Sequence, residues 1–184
     1  MKFFENCHLF NYPFSHVSAA HWQKYPNEWA TQVYAIDTLK QFVIEGTQTL
    51  YTERLITCRQ SIPRWIRKIT GNITETYFLE TSKVDLATQT FIIKSTNLTF
   101  NEYLNVVETV TYKKHPELEE TTVFQQQATI QALVSLKRLA NYVEDYSVSR
   151  FKQNAKKGKL GFDSVLARPS PVGLNSQERT NNTV

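Results

Sequence analysis

Arg150, Asn154 and Lys157 fall where the apolar stripe of a long C-terminal helix should continue. The segment 135–167 contains no proline and reads as one helix, softened near its end by Gly158 and Gly161. Leu136, Leu139 and Val143 align at helical spacing, and their line, extended at about 3.6 residues per turn, runs on to Arg150, Asn154 and Lys157. A guanidinium, an amide and an ammonium in one file are hydrogen-bond donors for an anion. The neighbouring file, Val148, Phe151, Ala155 and Phe162, is apolar and able to grip a sheet. An oily line beside a cationic one suits the wall of a cavity for a molecule with a charged head and a hydrocarbon tail. The same residues also fit the wet edge of an amphipathic helix, and on this segment alone that plainer reading weighs more.

A second stretch with chemical character is 60–72. Ile62, Trp65, Ile66 and Ile69 recur near helical spacing, with Arg64, Arg67 and Lys68 between them. Tryptophan at a wet–apolar boundary with cations beside it is what a membrane-interface segment needs. A short amphipathic helix packed on its own domain has the same pattern, and both readings stand.

Catalytic and metal signatures are weak. His8, His16, His21 and His115 match no metal-chelating spacing, and His16 and His21, five apart, do not share a helix face. There is no glycine-rich phosphate loop and no nucleophile elbow. Cys7 and Cys58 make neither a disulfide framework nor a zinc pattern, and a strand cysteine such as Cys58 is more often inert core than nucleophile. Tyr34, Asp37, Glu53 and Glu80 read as solvated or structural strand residues. No enzyme, no metal and no cofactor are expected.

The elements that must position these groups follow from periodicity and turn chemistry. Residues 2–10 read as a strand, broken by Pro13. Ser15 is placed to cap a short helix running to about Tyr25, where Pro26 forces the backbone out of the helical region. Val33–Val43 and Thr49–Cys58 read as a hairpin turning near Gly46, and further strands fall at about 73–84, 88–98, 102–113 and 121–134. In the last, Phe124, Ala128, Ile130, Ala132 and Val134 alternate with Gln125, Gln127, Thr129 and Gln131. Consecutive strands with short links make an antiparallel meander. The expected fold class is α+β: a helix-grip, START-like architecture with a curved seven-stranded antiparallel sheet around a long C-terminal helix. A domain over residues 1–167 and a disordered tail over 168–184 are expected.

A chain of 184 residues, 41% hydrophobic and 12% aromatic, is enough for one packed domain. A net charge of +4 and a pI near 9.0 give a mild pull toward anionic surfaces, short of the dense Lys/Arg blocks of a nucleic-acid binder. No stretch approaches the roughly 20 apolar residues of a membrane span. Residues 1–10 form neither a secretory signal nor an Arg- and Ser-rich presequence, so entry into an organelle is expected without a cleaved address.

Taken together, Lys24-Tyr25-Pro26-Asn27, Ile36-Asp37-Thr38-Leu39, Arg54-Leu55-Ile56, Ile62-Pro63-Arg64-Trp65, Val107-Glu108-Thr109-Val110-Thr111-Tyr112, Val143-Glu144-Asp145-Tyr146, Arg150-Phe151 and Asn154-Ala155-Lys156-Lys157-Gly158 carry a family resemblance. In order and spacing, over about residues 1–166, the chain resembles the PRELI/Slowmo family of mitochondrial intermembrane-space lipid transfer proteins. The resemblance implies one enclosed phospholipid, a mobile loop as lid, and shuttling between the outer and inner mitochondrial membranes, peripheral to the inner one. It implies a heterodimer with a small twin Cys-x9-Cys protein and contact with anionic membrane, with no role for nucleic acid. Carried over by position, the head-group residues fall on Lys24, Arg150 and Lys157, with Asn154 adding a hydrogen bond and Arg54 matching a further family arginine. A basic position of the phosphatidic-acid branch is Cys58 here, with Arg59 beside it. Together with the segments Tyr-Pro-Asn-Glu and Thr-Glu-Arg-Leu-Ile-Thr, that departure points toward the Slowmo-like, phosphatidylserine branch. With the resemblance, the cationic file on the helix reads as a phosphate clamp. The alternatives are a phosphatidic-acid carrier, a basic membrane- or nucleic-acid-binding module without a cavity, and an enzyme of the same architecture.

Overall fold

The structure, a computed structural model, describes residues 1–59 and 73–168. The expected lid residues Ile62, Arg64, Trp65, Ile66, Arg67 and Lys68 lie outside the described residues, as does the segment 169–184. The elements run β1 (Lys2–Phe10), α1 (Phe14–His21), β2 (Val33–Val43), β3 (Thr49–Arg59), β4 (Glu75–Asp85), β5 (Thr90–Asn97), β6 (Leu104–Lys114), β7 (Thr122–Ala132) and α2 (Lys137–Leu166). All seven strands join one antiparallel sheet in the order β1-β7-β6-β5-β4-β3-β2. Among the described elements, α1 stands between β1 and β2 and sends the chain from one sheet edge to the other. The expected helix-grip architecture is the fold.

The two-residue period of a strand sends one set of side chains inward. On β7, Phe124, Ala128 and Ile130 are buried while Gln125, Gln127 and Gln131 are exposed. At one end of the molecule the inward set closes into a core. Phe10, Phe91, Tyr112 and Phe124 from the sheet meet Phe14 and Val17 of α1 and Phe162, Val165 and Leu166 from the last turns of α2. The Phe10 and Phe162 rings pack edge-on at 5.3 Å, and Tyr112 meets Phe124 at 5.2 Å. Each such buried side chain stabilises the fold by roughly 1.5–3 kcal/mol. His16 Nε2 donates to the Leu166 carbonyl at 2.9 Å, joining α1 to the C-terminus of α2.

Four boundaries, in three elements, differ from the sequence reading as follows. The first helix is capped from Pro13 with no side-chain bond, so Ser15 lies inside it rather than at its cap. It ends at His21, because Gln23 and Lys24 N–H groups tighten onto the Ala20 and His21 carbonyls at 3.0 and 3.2 Å. Lys24 therefore sits in a turn. The long helix begins at Lys137, and Leu136, placed in the core stripe by periodicity, is 70% exposed just before it. Leu139 is half-buried and Val143 buried, so the stripe starts one turn later. The last strand ends at Ala132, where the buried Glu144 carboxylate accepts the Ala132 N–H at 3.0 Å and Leu133 N–H turns to the Tyr103 carbonyl at 2.8 Å. Gly46, at φ 72°, makes the β2–β3 turn in a conformation that glycine adopts without strain.

Gly161 has a different task. A Cβ there would lie 2.6–2.9 Å from the side-chain atoms of Asn27, whose Oδ1 also accepts the Trp29 N–H at 2.8 Å. A Cβ at Gly158 would meet nothing within 4 Å. Gly158→Ala is expected to stabilise the protein by roughly 0.5–1 kcal/mol through helix propensity. Gly161→Ala is expected to lose that gain to a clash of about 1–3 kcal/mol. Urea unfolding midpoints of the two variants check this, and equal upward shifts would contradict a tight Asn27–Gly161 contact.

Candidate functional site

At its other end the sheet does not meet a core. The long helix packs on β1, β7 and α1, and between it and the remaining strands lies a cavity of about 400 Å³. Much of the wall is apolar, including Val33, Ile56, Phe78, Phe100, Leu104, Val106 and Val110. Phe100, at φ 64°, is a non-glycine residue in the left-handed region. Its loop is tied by buried Asn97, whose side chain bonds Thr99 O, Leu104 O and Val106 N at 2.7–2.9 Å.

Arg150, Asn154 and Lys157 line this cavity together with Val143, Ser147, Phe151 and Gly158 from the same helix face. Arg150 is half-buried, while Asn154 and Lys157 are exposed, so the cationic file stands at the lip. Lys24 enters from the turn after α1, its ammonium 5.4 Å from the Tyr25 ring centre and 6.0 Å from that of Phe162. It is enclosed by protein yet keeps surface toward the cavity. Burial alone would lower its pKa. Tyr25, Tyr112, Glu108 and Glu80 more than offset this and raise it, so Lys24 is a fixed cation. The structure thus brings Lys24, Arg150, Asn154 and Lys157 to one cavity.

Arg54 stands elsewhere. Its guanidinium is buried against Glu80, with Nε 2.9 Å from Oε1, and Nη2 donates to His21 Nε2 at 3.2 Å. It lies against Trp22 at 5.0 Å from the ring centre. Glu80 and His21 line the cavity, while Arg54 supports them from behind. Arg59, next to Cys58, turns outward to pair with Glu75 at 2.8 Å and to stack on Tyr34. Cys58 itself lines the cavity, and burial pushes its thiol up to about 11, so it is neutral. Cys7 is exposed.

Sequence reasoning passed over a row of polar side chains that crosses the inner face. Arg54 is opposite Glu80 in register, Glu80 opposite Ser95, and Ser95 opposite Glu108. Gln126 Nε2 donates to Glu108 Oε1 at 2.5 Å, and Asn6, opposite Gln126 in register, donates to its Oε1 at 3.4 Å. The signal was available: Gln126 shares the parity of Phe124 and Ala128, so a glutamine interrupts an apolar face. Burial raises the Glu108 pKa, partly countered by the bond from Gln126 and by Lys24. His21 is held well below the usual imidazole range, first by burial and then by Lys24 and Arg54. His8 is lowered to about 4 by burial and then by Lys159, against the opposing pull of Asp163. Among the described residues no cluster of His, Cys, Asp and Glu is arranged to hold a metal.

A PRELI-like family model matches residues 15–171. The chain belongs to the PRELI-like family. A UPS-like protein of Schizosaccharomyces pombe is 56% identical over 168 residues, covering 91% of this chain and 90% of its own. The mitochondrial protein UPS2 of Saccharomyces cerevisiae is 47% identical over 90% of this chain and 73% of its own length. A slowmo homolog of Dictyostelium discoideum is 34% identical over 90% and 72%. Among solved structures, the ZhuI aromatase/cyclase of Streptomyces superposes with a TM-score of 0.60 at 9% identity, covering 94% of this chain and 98% of its own. Ara h 8.0201 gives 0.55 at 15% identity, over 91% and 99%. At such identities these two share the fold alone with this PRELI-like chain.

Truncating one partner of a buried ion pair leaves the other charge desolvated and uncompensated. Arg54→Ala should therefore lower stability by about 3–5 kcal/mol in chemical denaturation. A change within experimental error would show that the pair is not a structural support. The histidines impose a pH limit. With a folded pKa near 4 against an unfolded value of 6.5, the unfolded state of His8 takes up a proton first as pH falls. Stability due to neutral His8 is complete above pH 6.5 and declines between 6.5 and about 4, and His21 acts in the same direction. His8→Gln should flatten that decline in melting temperature; an unaltered pH profile would contradict it.

Proposed function

We propose that this PRELI-like protein carries one glycerophospholipid at a time between the outer and inner mitochondrial membranes of the intermembrane space, with phosphatidylserine preferred over phosphatidic acid and with no chemical change to the lipid. The observation that carries the reading is a cavity with an apolar wall, a cationic lip of Arg150 and Lys157, and a fixed cation, Lys24, within. Each CH₂ brought into water costs about 0.8 kcal/mol, so a lipid cannot leave a bilayer unless an apolar lining replaces it. The neutral thiol of Cys58 supports a ligand other than phosphatidic acid, since the wall offers no cation at that position. A carrier rather than an enzyme agrees with a Cys58 thiol far from its reactive thiolate form.

Two further parts belong to this proposal. Trp65 and Ile66, with Ile62, Arg64, Arg67 and Lys68, serve as the docking lid on anionic membrane. A small twin Cys-x9-Cys protein forms the soluble heterodimer and leaves when lipid is met. Exposed apolar side chains on the outer face, among them Phe3, Leu9, Ile92 and Val107, are compatible with a protein partner.

Donor and acceptor liposomes provide the test. Fluorescent phosphatidylserine should move down its gradient intact, and Arg150→Glu or Lys157→Glu should reduce the rate by roughly tenfold or more, like charge now facing phosphate. Melting temperatures should stay near wild type. Release of lyso-lipid or free head group would refute a carrier, and a parallel loss of stability and transfer would make the two cations structural. In the same assay, docking insensitive to salt would remove the lid's electrostatic role, and full activity of the protein made alone would remove the partner requirement.

A further inference from the structure

The cavity holds charge of both signs, and the two carboxylates on its wall are not equivalent. Glu80 is in contact with the Arg54 guanidinium, and its charge is balanced within the protein. Glu108 has no cation within ion-pair distance among the described residues. Its nearest bonded neighbour is the Gln126 amide, held in turn by Asn6, which fixes one carboxylate oxygen and leaves the other free. The hydroxyl residue Ser95 lies opposite Glu108 in register and also lines the cavity. Directly opposed side chains of an antiparallel pair start about 4.5–5.5 Å apart, so Ser95 and Glu108 can serve one ligand atom together. Lys24, Arg150 and Lys157 supply the positive side of the same cavity.

A ligand with only a phosphate would take up the cations and leave the half-buried Glu108 carboxylate with no direct ionic partner, held only by the Gln126 bond and the more distant Lys24 charge. A ligand carrying a phosphate and an ammonium satisfies both. We propose that Glu108, oriented by Gln126 and Asn6 and flanked by Ser95, receives a primary ammonium of the ligand head group and so selects glycerophospholipids of serine or ethanolamine. The inference rests on the carrier reading above and deepens it by assigning head-group selection to these residues. Burial raises the Glu108 pKa, and a cation arriving at the carboxylate reverses that shift. A trimethylated nitrogen has no N–H to give, and an acylated one has no charge. Either would leave the carboxylate without its partner, the situation in which a polar site discriminates most sharply.

The experiment uses the full chain, in complex with its partner if it is purified so, and compares transfer of phosphatidylethanolamine, N-acetylated phosphatidylethanolamine, phosphatidylcholine, phosphatidylserine and phosphatidic acid between vesicles. The native protein should move the ethanolamine lipid at least about tenfold faster than its N-acetylated or choline counterparts. Glu108→Gln, which keeps the shape and removes the charge, should bring those ratios close to one. The serine and ethanolamine arms show which head group is the better ligand. Native protein that transfers lipid without regard to the ammonium, or a Glu108→Gln variant that keeps the native ratios, would overturn the inference while leaving the carrier intact. No transfer of any lipid would overturn the carrier reading and this assignment with it. The native-protein comparison decides the matter even if Glu108→Gln does not fold.

Discussion

A seven-stranded curved sheet has more concave surface than one helix can cover. The rest of this structure depends on that mismatch. The long helix α2 lies along β1 and β7 and against α1, near one edge of the sheet. Where α1 and the last helical turns add bulk, the rings of Phe10, Phe91, Tyr112, Phe124 and Phe162 close the gap into a core. Where they do not, the inner face of the middle strands has no protein to pack on. Collapse is opposed there by desolvation, because Glu80, Glu108 and Lys24 face inward and could not be pressed against apolar groups without large cost. Core and cavity thus share one sheet and differ in what is laid across it.

The polar row keeps this open end tolerable within a low-dielectric interior. Arg54 neutralises Glu80 and directs a further N–H to His21, while Trp22 covers its face. On the other side of Ser95, Glu108, Gln126 and Asn6 form a second hydrogen-bonded group that reaches the opposite edge of the sheet. Such a network is worth having only when its members are satisfied, since a half-paired buried group costs more than an apolar one. Glu80 and Glu108 both face the cavity, and of the two Glu80 alone is ion-paired among the described residues.

Much of the architecture was legible in the sequence because its signals are local. The β2–β3 hairpin, the alternation of β7 and the proline-free helix each follow from neighbours within a few residues, and the file Arg150, Asn154, Lys157 follows from helical periodicity alone. What was not legible depends on distant pairing. Arg54 and Glu80 are 26 positions apart, and only the register of β3 on β4 shows that they meet. Leu136 fits the helical stripe by spacing, but the helix begins after it. The end of α1 at His21 was missed for a similar reason: Pro26 limits how far the helix can run without dictating where its last turn tightens. Glu108 and Gln126 are polar residues on an inward parity, which only a face-by-face reading of each strand would have isolated.

The close approach of Asn27 to Gly161 couples two parts of the molecule that are remote in sequence. One is the turn bearing Lys24, and the other is the helix bearing Arg150, Asn154 and Lys157. Lys24 also lies over Phe162, the residue after Gly161. The turn and helix are therefore fastened to each other at the closed end, beside the aromatic core, while the sheet strands opposite are held by separate contacts. The far end of the same helix is held separately, where Glu144 accepts the Ala132 N–H and Phe151 packs on Phe4. The cations that face the cavity therefore ride on a helix pinned at both ends, with Lys24 fixed beside one of the pins.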